Sequence, residues 1–183
     1  MVIEQKVRQM YKALADMQIT DRLESVKPEF KTIGNSIAVS FDFKKAADNP
    51  TAANRVSQLL ANIACLKDHL KTWCNKNGKP FTGDELINSN REVAIVHDLW
   101  NLDKHAELDR SRSGLWPKLR EPASASMVLK GQEGKQQMFT ISVFTGSIQA
   151  HDGATLRIRA TVVDKDENVL GEVEDICEKA VAA

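Results

Sequence analysis

The residues of this chain that are best suited to chemistry lie in one segment, REVAIVHDLWNLDKHAEL, which spans residues 91–108. In it His97, Asn101 and His105 recur every four residues, so on an α-helix they share one face. Imidazoles in a half-enclosed cleft titrate near neutrality and can transfer protons. The same row can instead be a hydrogen-bonded structural cluster, because a buried polar group without a partner costs about 1–3 kcal/mol. The spacing alone allows both interpretations.

A wider polar cluster is expected where this helix meets the helix before it. If the two helices pack antiparallel, His69 faces the row formed by His97, Asn101 and His105. We therefore assign to this cluster a set of polar residues from both helices, namely Asn62, Asp68, His69, Asn101 and Lys104.

The histidine spacing does not favour a metal site. His97 and His105 lie two helical turns apart, which separates their Cα atoms by about 12 Å. Two histidines of one helix that bind the same zinc ion are usually four residues apart, and Asn101 occupies that middle position. The sequence predicts neither a bound metal nor a cofactor.

Arg91 and His97 also form a pattern, in which five residues separate an Arg from a His inside the predicted helix. This pattern resembles the signature of HEPN ribonucleases, helical proteins in which an Arg, a polar residue and a downstream His meet across a dimer interface. The resemblance implies that Arg91 binds phosphate and that His97 activates the ribose 2′-hydroxyl for in-line attack. It also implies a homodimer that acts on RNA without a metal, with His105 as a further catalytic candidate.

A second resemblance covers roughly residues 55–165. LKDHL on one helix, LWNLDKH on the next and a β-rich tail are similar to a group of uncharacterised bacterial proteins. Those proteins carry Asp-His on the first helix and Asn-x-x-Asp-Lys-His on the second. The matching residues here are Asp68, His69, Asn101, Lys104 and His105. This resemblance implies the fold and no particular activity.

The segment after the central helix, DRSRSGLWPKLREP, is basic and contains an aromatic residue. Its four cations are candidate phosphate contacts around Trp116, namely Arg110, Arg112, Lys118 and Arg120. Arg and Lys beside an aromatic ring can hold phosphates and stack a base. The favoured alternative is a solvated loop that tucks Trp116 into the core, with Pro117 fixing the turn.

The hydrophobic pattern changes along the chain from a helical period to a period of two after Ser126. Ser89, followed by Glu92, fits a capping box at the start of the central helix. That helix has a polar face and an apolar face, so we expect neighbours on both sides. The predicted elements are a helix at 2–25, a hairpin at about 30–43, a helix at 49–75, the central helix, strands at 126–130, 135–146, 155–164 and 168–173, and a helix at 174–183.

The composition excludes several classes of protein. Lys+Arg and Asp+Glu balance at 25 each, so no net field attracts nucleic acid or a membrane. No apolar run approaches the roughly 18 residues that span a bilayer, and the N-terminus has charges where a signal peptide is apolar. The three cysteines form no disulfide framework, which indicates reduced thiols. We therefore expect a cytoplasmic protein.

Together these observations predict an α+β fold, with a small helical bundle and a mostly antiparallel sheet in the C-terminal part. Residues 1–120 are expected to be mainly helical with the one hairpin. Residues 121–183 are expected to form an antiparallel meander with a short terminal helix, and the two parts to share one structural domain.

Two functions fit this architecture. The favoured prediction is a non-catalytic binding or regulatory domain whose His/Asn cluster is structural. The alternative is a metal-independent, HEPN-like ribonuclease that acts as a dimer through Arg91, His97 and His105. The two hypotheses differ in whether Arg91 and His97 point into a shared cleft.

Overall fold

A computed structural model of the protein describes residues 3–18, 28–33, 36–41, 49–129, 139–142, 147–150 and 154–183. The elements are α1 (Ile3–Ala15), β1 (Pro28–Ile33), β2 (Ser36–Phe41), α2 (Asn49–Ala64), α3 (Leu66–Lys76), α4 (Gly83–Ser89), α5 (Arg91–His105), β3 (Lys118–Leu119), β4 (Ser124–Leu129), β5 (Phe139–Ser142), β6 (Ser147–Ala150), β7 (Ala154–Arg159), β8 (Thr161–Val163), β9 (Val169–Glu172) and α6 (Val173–Ala182). The fold is α+β, as the sequence predicts. Within these ranges no helix combines the length and the apolar character needed to cross a bilayer.

The chain divides into two compact units that alternate along the sequence. The first unit contains Met1–Met17, Ala53–Ala123 and Arg159–Ala183, and the second contains Gln18–Ala52 and Ser124–Ile158. The chain enters the second unit at Gln18, goes back to the first at Ala53 and enters the second again at Ser124. It then returns at Arg159, so the last strands and α6 belong with the helical residues.

Helix α5 is the centre of the first unit. Seven consecutive residues, from Val93 to Leu99, are buried, so this half of the helix has no side that faces solvent. Helices α4 and α6 both pack against α5. The prediction of a central helix with neighbours on more than one side is confirmed.

Two capping residues determine where α5 begins and ends. Asn90 has an extended backbone, and its side chain accepts a 3.0 Å hydrogen bond from the N–H of Val93, which is the geometry of an N-cap. The prediction that Ser89 caps this helix is wrong, because Ser89 is the last residue of α4. At the other end Ala106 adopts the left-handed conformation, with φ of +61°.

The helix predicted at 49–75 is divided into α2 and α3 at Cys65. Cys65 has φ of −71° and ψ of −13°, and its carbonyl oxygen accepts hydrogen bonds from the amides of Asp68 at 3.2 Å and His69 at 3.4 Å. The shorter of these bonds spans three residues, which is the tighter 3₁₀ pattern. A tightening of one turn leaves the apolar spacing unchanged, so the hydrophobic pattern does not reveal it.

Helix α1 is shorter than predicted, because it ends at Ala15. Met17 in the following turn is fully buried, and Gln18 forms an isolated antiparallel bridge with Arg157. A bridge needs extended backbone, so the helix cannot continue through Gln18. Residues 19–25 of the predicted helix lie outside the described ranges.

The predicted N-terminal hairpin is present as β1 and β2, which pair antiparallel with Ile33 opposite Ser36. Residues 34–35, which would form its turn, and residues 42–43 of the predicted strand lie outside the described ranges.

The C-terminal strands differ from the single meander that the sequence predicts. In the described ranges they form the antiparallel sheet β3-β8-β9 and the pairs β4-β7 and β5-β6. The strand predicted at 155–164 is divided at Ala160, whose carbonyl accepts a 2.9 Å hydrogen bond from Val173. At this residue the chain changes its pairing partners, which a continuous period of two cannot indicate.

Replacing Ala106 by Gly should stabilise the protein, because a Cβ atom in the left-handed conformation causes strain that Gly avoids. We expect the free energy of unfolding in urea to rise by about 0.5–1 kcal/mol, after allowance for the greater backbone entropy of unfolded Gly. The control Glu107→Gly places the same residue one position later and should give no gain. Equal gains in both variants would contradict the proposed strain.

Candidate functional site

The carboxylate of Asp98 is buried and accepts four hydrogen bonds, although it lies in the middle of a helix. The side chain is completely buried. One oxygen accepts a 2.7 Å bond from the amide of Arg112. The other accepts bonds from the hydroxyls of Ser111 and Ser113, both at 2.7 Å, and from the amide of Ser113 at 3.0 Å. Four donors therefore replace the water that the carboxylate loses on burial.

The serine side chains extend this network through the loop that follows α5. The Ser113 hydroxyl also accepts a 3.2 Å bond from the Leu115 amide, and the Ser111 hydroxyl accepts one from the Trp116 amide, also at 3.2 Å. In the loop of residues 111–116, here called the Asp98 loop, one buried carboxylate and two hydroxyls thus accept hydrogen bonds from four backbone amides, those of residues 112, 113, 115 and 116. These bonds restrain the conformation of the loop.

Trp116 ends the Asp98 loop in an unusual conformation. Its φ is +54°, which is rare for an aromatic residue, and it precedes a proline, which further restricts its backbone. Its side chain is 41% exposed, whereas Pro117 is buried. The expectation that Trp116 is tucked into the core is wrong. The protein instead holds a large aromatic side chain at its surface on a rigid loop.

His97 lies beside Asp98 and is 9% exposed. Its burial, together with the nearby positive charges of Arg112 and Lys67, lowers the pKa of His97 to about 4. The imidazole is therefore neutral at physiological pH. A general base works best when its pKa lies near the working pH, so this environment makes His97 a poor proton acceptor.

The cations near His97 are themselves paired. Lys67 donates a 2.6 Å hydrogen bond to Asp84, and this bond holds the pKa of the Asp84 carboxyl below its usual range. A guanidinium nitrogen of Arg112 lies 3.4 Å from Asp84 and 3.4 Å from the side-chain oxygen of Asn88. These contacts connect the Asp98 loop to α3 and α4 on the surface above His97.

The row of His97, Asn101 and His105 leaves the interior as the helix proceeds. His97 is buried, Asn101 is half-buried and His105 is exposed. The row therefore lines no single cleft in this chain. Lys104 on the same turn is also exposed.

His69 has a different neighbour from the one expected. With Trp73 on α3 and Ile3 and Lys6 on α1, it lines a small hollow of about 80 Å³. Its side chain thus lies beside α1, because α1 packs on α3. Of the other cluster residues, Asn62 donates a 2.8 Å bond to the Gln58 carbonyl of its own helix and Asp68 is exposed. The polar cluster expected between the two helices is not assembled in this way.

Arg91 and His97 lie on different faces of α5. Six residues along a regular helix turn the side-chain direction by about 120°. Arg91 is exposed, and its guanidinium lies 3.7 Å from the carboxylate of Glu92. Within one chain, the geometry offers no common cleft for a phosphate between Arg91 and His97.

Three of the four candidate phosphate contacts already have partners. Arg112 contacts Asp84, Lys118 lies 2.5 Å from Glu167, and Arg120 donates a 2.9 Å bond to the Glu167 carbonyl. Arg110 is exposed. A phosphate would have to compete with these contacts, so the segment is a weaker anion site than its composition suggests.

Ser111 and Ser113 are residues of this site that the sequence analysis did not single out, and Asp98 was placed near the row of His97, Asn101 and His105 without a role of its own. A signal was present, because Asp98 follows Ile95 by three residues and precedes Leu102 by four, and so sits beside the apolar stripe. A carboxylate there must find donors, and two serines follow within one loop. The regular spacing of His97, Asn101 and His105 instead indicated a site on a neighbouring face of α5.

Within the described part of the chain, no three His, Cys, Asp or Glu side chains converge as metal ligands would. Comparisons with protein-family models, with curated proteins and with solved structures find no match to this chain. The function must therefore be argued from the geometry of the described residues.

Asp98→Asn should strongly destabilise the fold, because the amide NH2 group would face hydroxyl and N–H donors. We expect the free energy of unfolding in urea to fall by about 3 kcal/mol as buried donors lose their acceptor. Asp68→Asn, an exposed acid on α3, is the matched control and should change it by less than about 0.5 kcal/mol. Similar small effects for both variants would show that the Asp98 network contributes little.

The pKa of His97 also determines how stability depends on pH. Unfolded His97 gains a proton near pH 6.5, whereas the folded protein keeps it neutral down to about 4, so the unfolded state binds more protons in between. The free energy of unfolding should therefore fall as the pH decreases through this window, by at most about 1.4 kcal/mol per pH unit.

His97→Gln should remove the contribution of His97 to the slope of the free energy of unfolding against pH. Chemical denaturation of the parent protein and of the variant, between pH 6.5 and about 4, measures the difference. His105→Gln changes an exposed histidine on the same helix and should keep the slope of the parent protein. A parent protein and a His97→Gln variant with identical slopes would exclude a buried neutral His97.

Proposed function

We propose that the protein is a non-catalytic binding or regulatory domain in which the polar residues of α5 are structural. The observation that carries this proposal is the Asp98 carboxylate, which is fully buried and accepts four hydrogen bonds from one loop. A carboxylate with every oxygen engaged is not available to a substrate. Its effect is to fix the shape of the Asp98 loop.

The residues of the alternative, ribonuclease function have environments that do not favour catalysis. His97 is neutral with a pKa of about 4, and Arg91 is exposed next to Glu92 on another face. Nothing in these positions combines a phosphate-binding cation with a base of near-neutral pKa. Ribonuclease activity and a homodimer remain predictions that rest on the resemblance to HEPN ribonucleases alone.

Trp116 is the residue through which we expect this domain to contact a protein partner. Aromatic side chains supply much of the binding energy at protein interfaces, and a rigid loop lowers the entropy lost on binding. The strained backbone of Trp116 and its exposed ring are consistent with such a role, since strain persists where function maintains it.

A photoactivatable aromatic residue at position 116 should crosslink one specific partner in cell extract, identified by mass spectrometry. Adding Asp98→Asn to the same chain should abolish the adduct, because the loop loses its anchor. The same residue at position 73, where Trp73 is 44% exposed, is the control and should not capture this partner.

Adducts that are the same at both positions, or that persist with Asp98→Asn, would overturn the role of the loop. Metal-independent RNA cleavage that leaves 2′,3′-cyclic phosphate ends and disappears with a folded His97→Ala variant would overturn the non-catalytic proposal itself.

A further inference from the structure

An apolar hollow of about 300 Å³ lies between α2, α5 and β3, and no residue of the Asp98 loop lines it. Its apolar lining is Ala53, Val56, Leu60, Leu99, Leu102 and Leu119. Val56, Leu60 and Leu99 belong to the core and are at most 3% exposed. The floor of the hollow is therefore made of buried core residues.

The size of the hollow suits a small organic molecule. One water molecule occupies about 30 Å³ in the liquid, so the space corresponds to about ten waters. This volume lies at the lower end of small-molecule sites, which are mostly apolar with a few polar groups that fix orientation. An alkyl chain of a few carbons would fill the floor and exclude water from it.

Three polar side chains, Ser57, Asp103 and Lys118, complete the lining. Lys118 already has an anionic partner outside the hollow, because its ammonium lies 2.5 Å from the carboxylate of Glu167. The Ser57 hydroxyl donates a 3.0 Å bond to one oxygen of Asp103. Among the residues that the structure describes, no Lys, Arg or His side chain forms an ion pair with Asp103. The unbalanced charge at the hollow is therefore negative.

The position of Asp103 in α5 adds to this negative character. Asp103 lies in the last turn of the helix, where the helix dipole is negative and a carboxylate is unfavourable. Lys104 and His105 share this turn, but neither lines the hollow. A cation bound at Asp103 would relieve the repulsion between the carboxylate and the helix end.

We propose that this hollow binds a small primary amine, with its alkyl body on Val56, Leu60 and Leu99 and its ammonium group on the Asp103 carboxylate. The proposal rests on the proposed binding function and supplies a ligand class for it. It does not involve Trp116, so the crosslinking experiment and the ligand experiment can fail independently.

The test is a calorimetric and NMR titration of the whole protein with hexylamine, hexan-1-ol and hexanoate, which share one alkyl chain. We expect hexylamine to bind most tightly and hexanoate most weakly. Asp103→Asn keeps an acceptor for Ser57 but removes the charge, so it should weaken hexylamine about fivefold and leave hexan-1-ol unchanged. Asp109→Asn, an exposed acid outside the hollow, is the charge control and should have no effect.

Ala53→Phe should fill the hollow and abolish binding of all three probes. Asn54→Phe adds the same ring to the neighbouring exposed position of α2 and should leave binding intact. Tighter binding of hexanoate than of hexylamine would overturn the proposal, as would binding that Ala53→Phe does not affect. Absence of hexylamine binding in the millimolar range would also overturn it, while the proposed role of Trp116 would still stand.

Discussion

The rest of the first unit depends on the requirement that the buried carboxylate of Asp98 be hydrogen-bonded. A carboxylate in the interior is tolerated only when donors replace its water, and here one loop supplies all four. This requirement brings Ser111 and Ser113 against the middle of α5. It also sets the path of the chain towards β3, since the same hydroxyls bind the amides of Leu115 and Trp116.

The two halves of α5 have different surroundings. The first half is surrounded by protein and organises the core through Asp98 and its apolar neighbours. The second half emerges to the surface, where Asn101 is half-buried and His105 is exposed, while Leu102 and Asp103 form a wall of the apolar hollow. The first half of α5 thus holds the Asp98 loop, which carries Trp116, and the second half lines the hollow.

The sequence predicts those parts of the molecule that local patterns determine. Helical spacing identifies α5, and alternation identifies β2 and β9. The terminal helix α6 is predicted as well. Local patterns do not predict the division at Cys65 or the change of partners at Ala160, because each is a local change in backbone hydrogen bonding that leaves the apolar spacing unchanged. The site was missed for a related reason: Asp98 is defined by its partners in a later loop, whereas His97, Asn101 and His105 are conspicuous by regularity alone.

The return of the chain to the first unit at Arg159 has a consequence for synthesis on the ribosome. Helix α6 packs on α5, yet more than sixty residues separate the end of α5 from the start of α6. Until α6 is synthesised, residues of α5 that are buried in the folded protein lack some of the neighbours that shield them from water. The surface of α5 that α6 covers therefore stays uncovered for several seconds at typical elongation rates of about 5–20 residues per second. During this interval the uncovered surface is one at which the nascent chain is prone to aggregate.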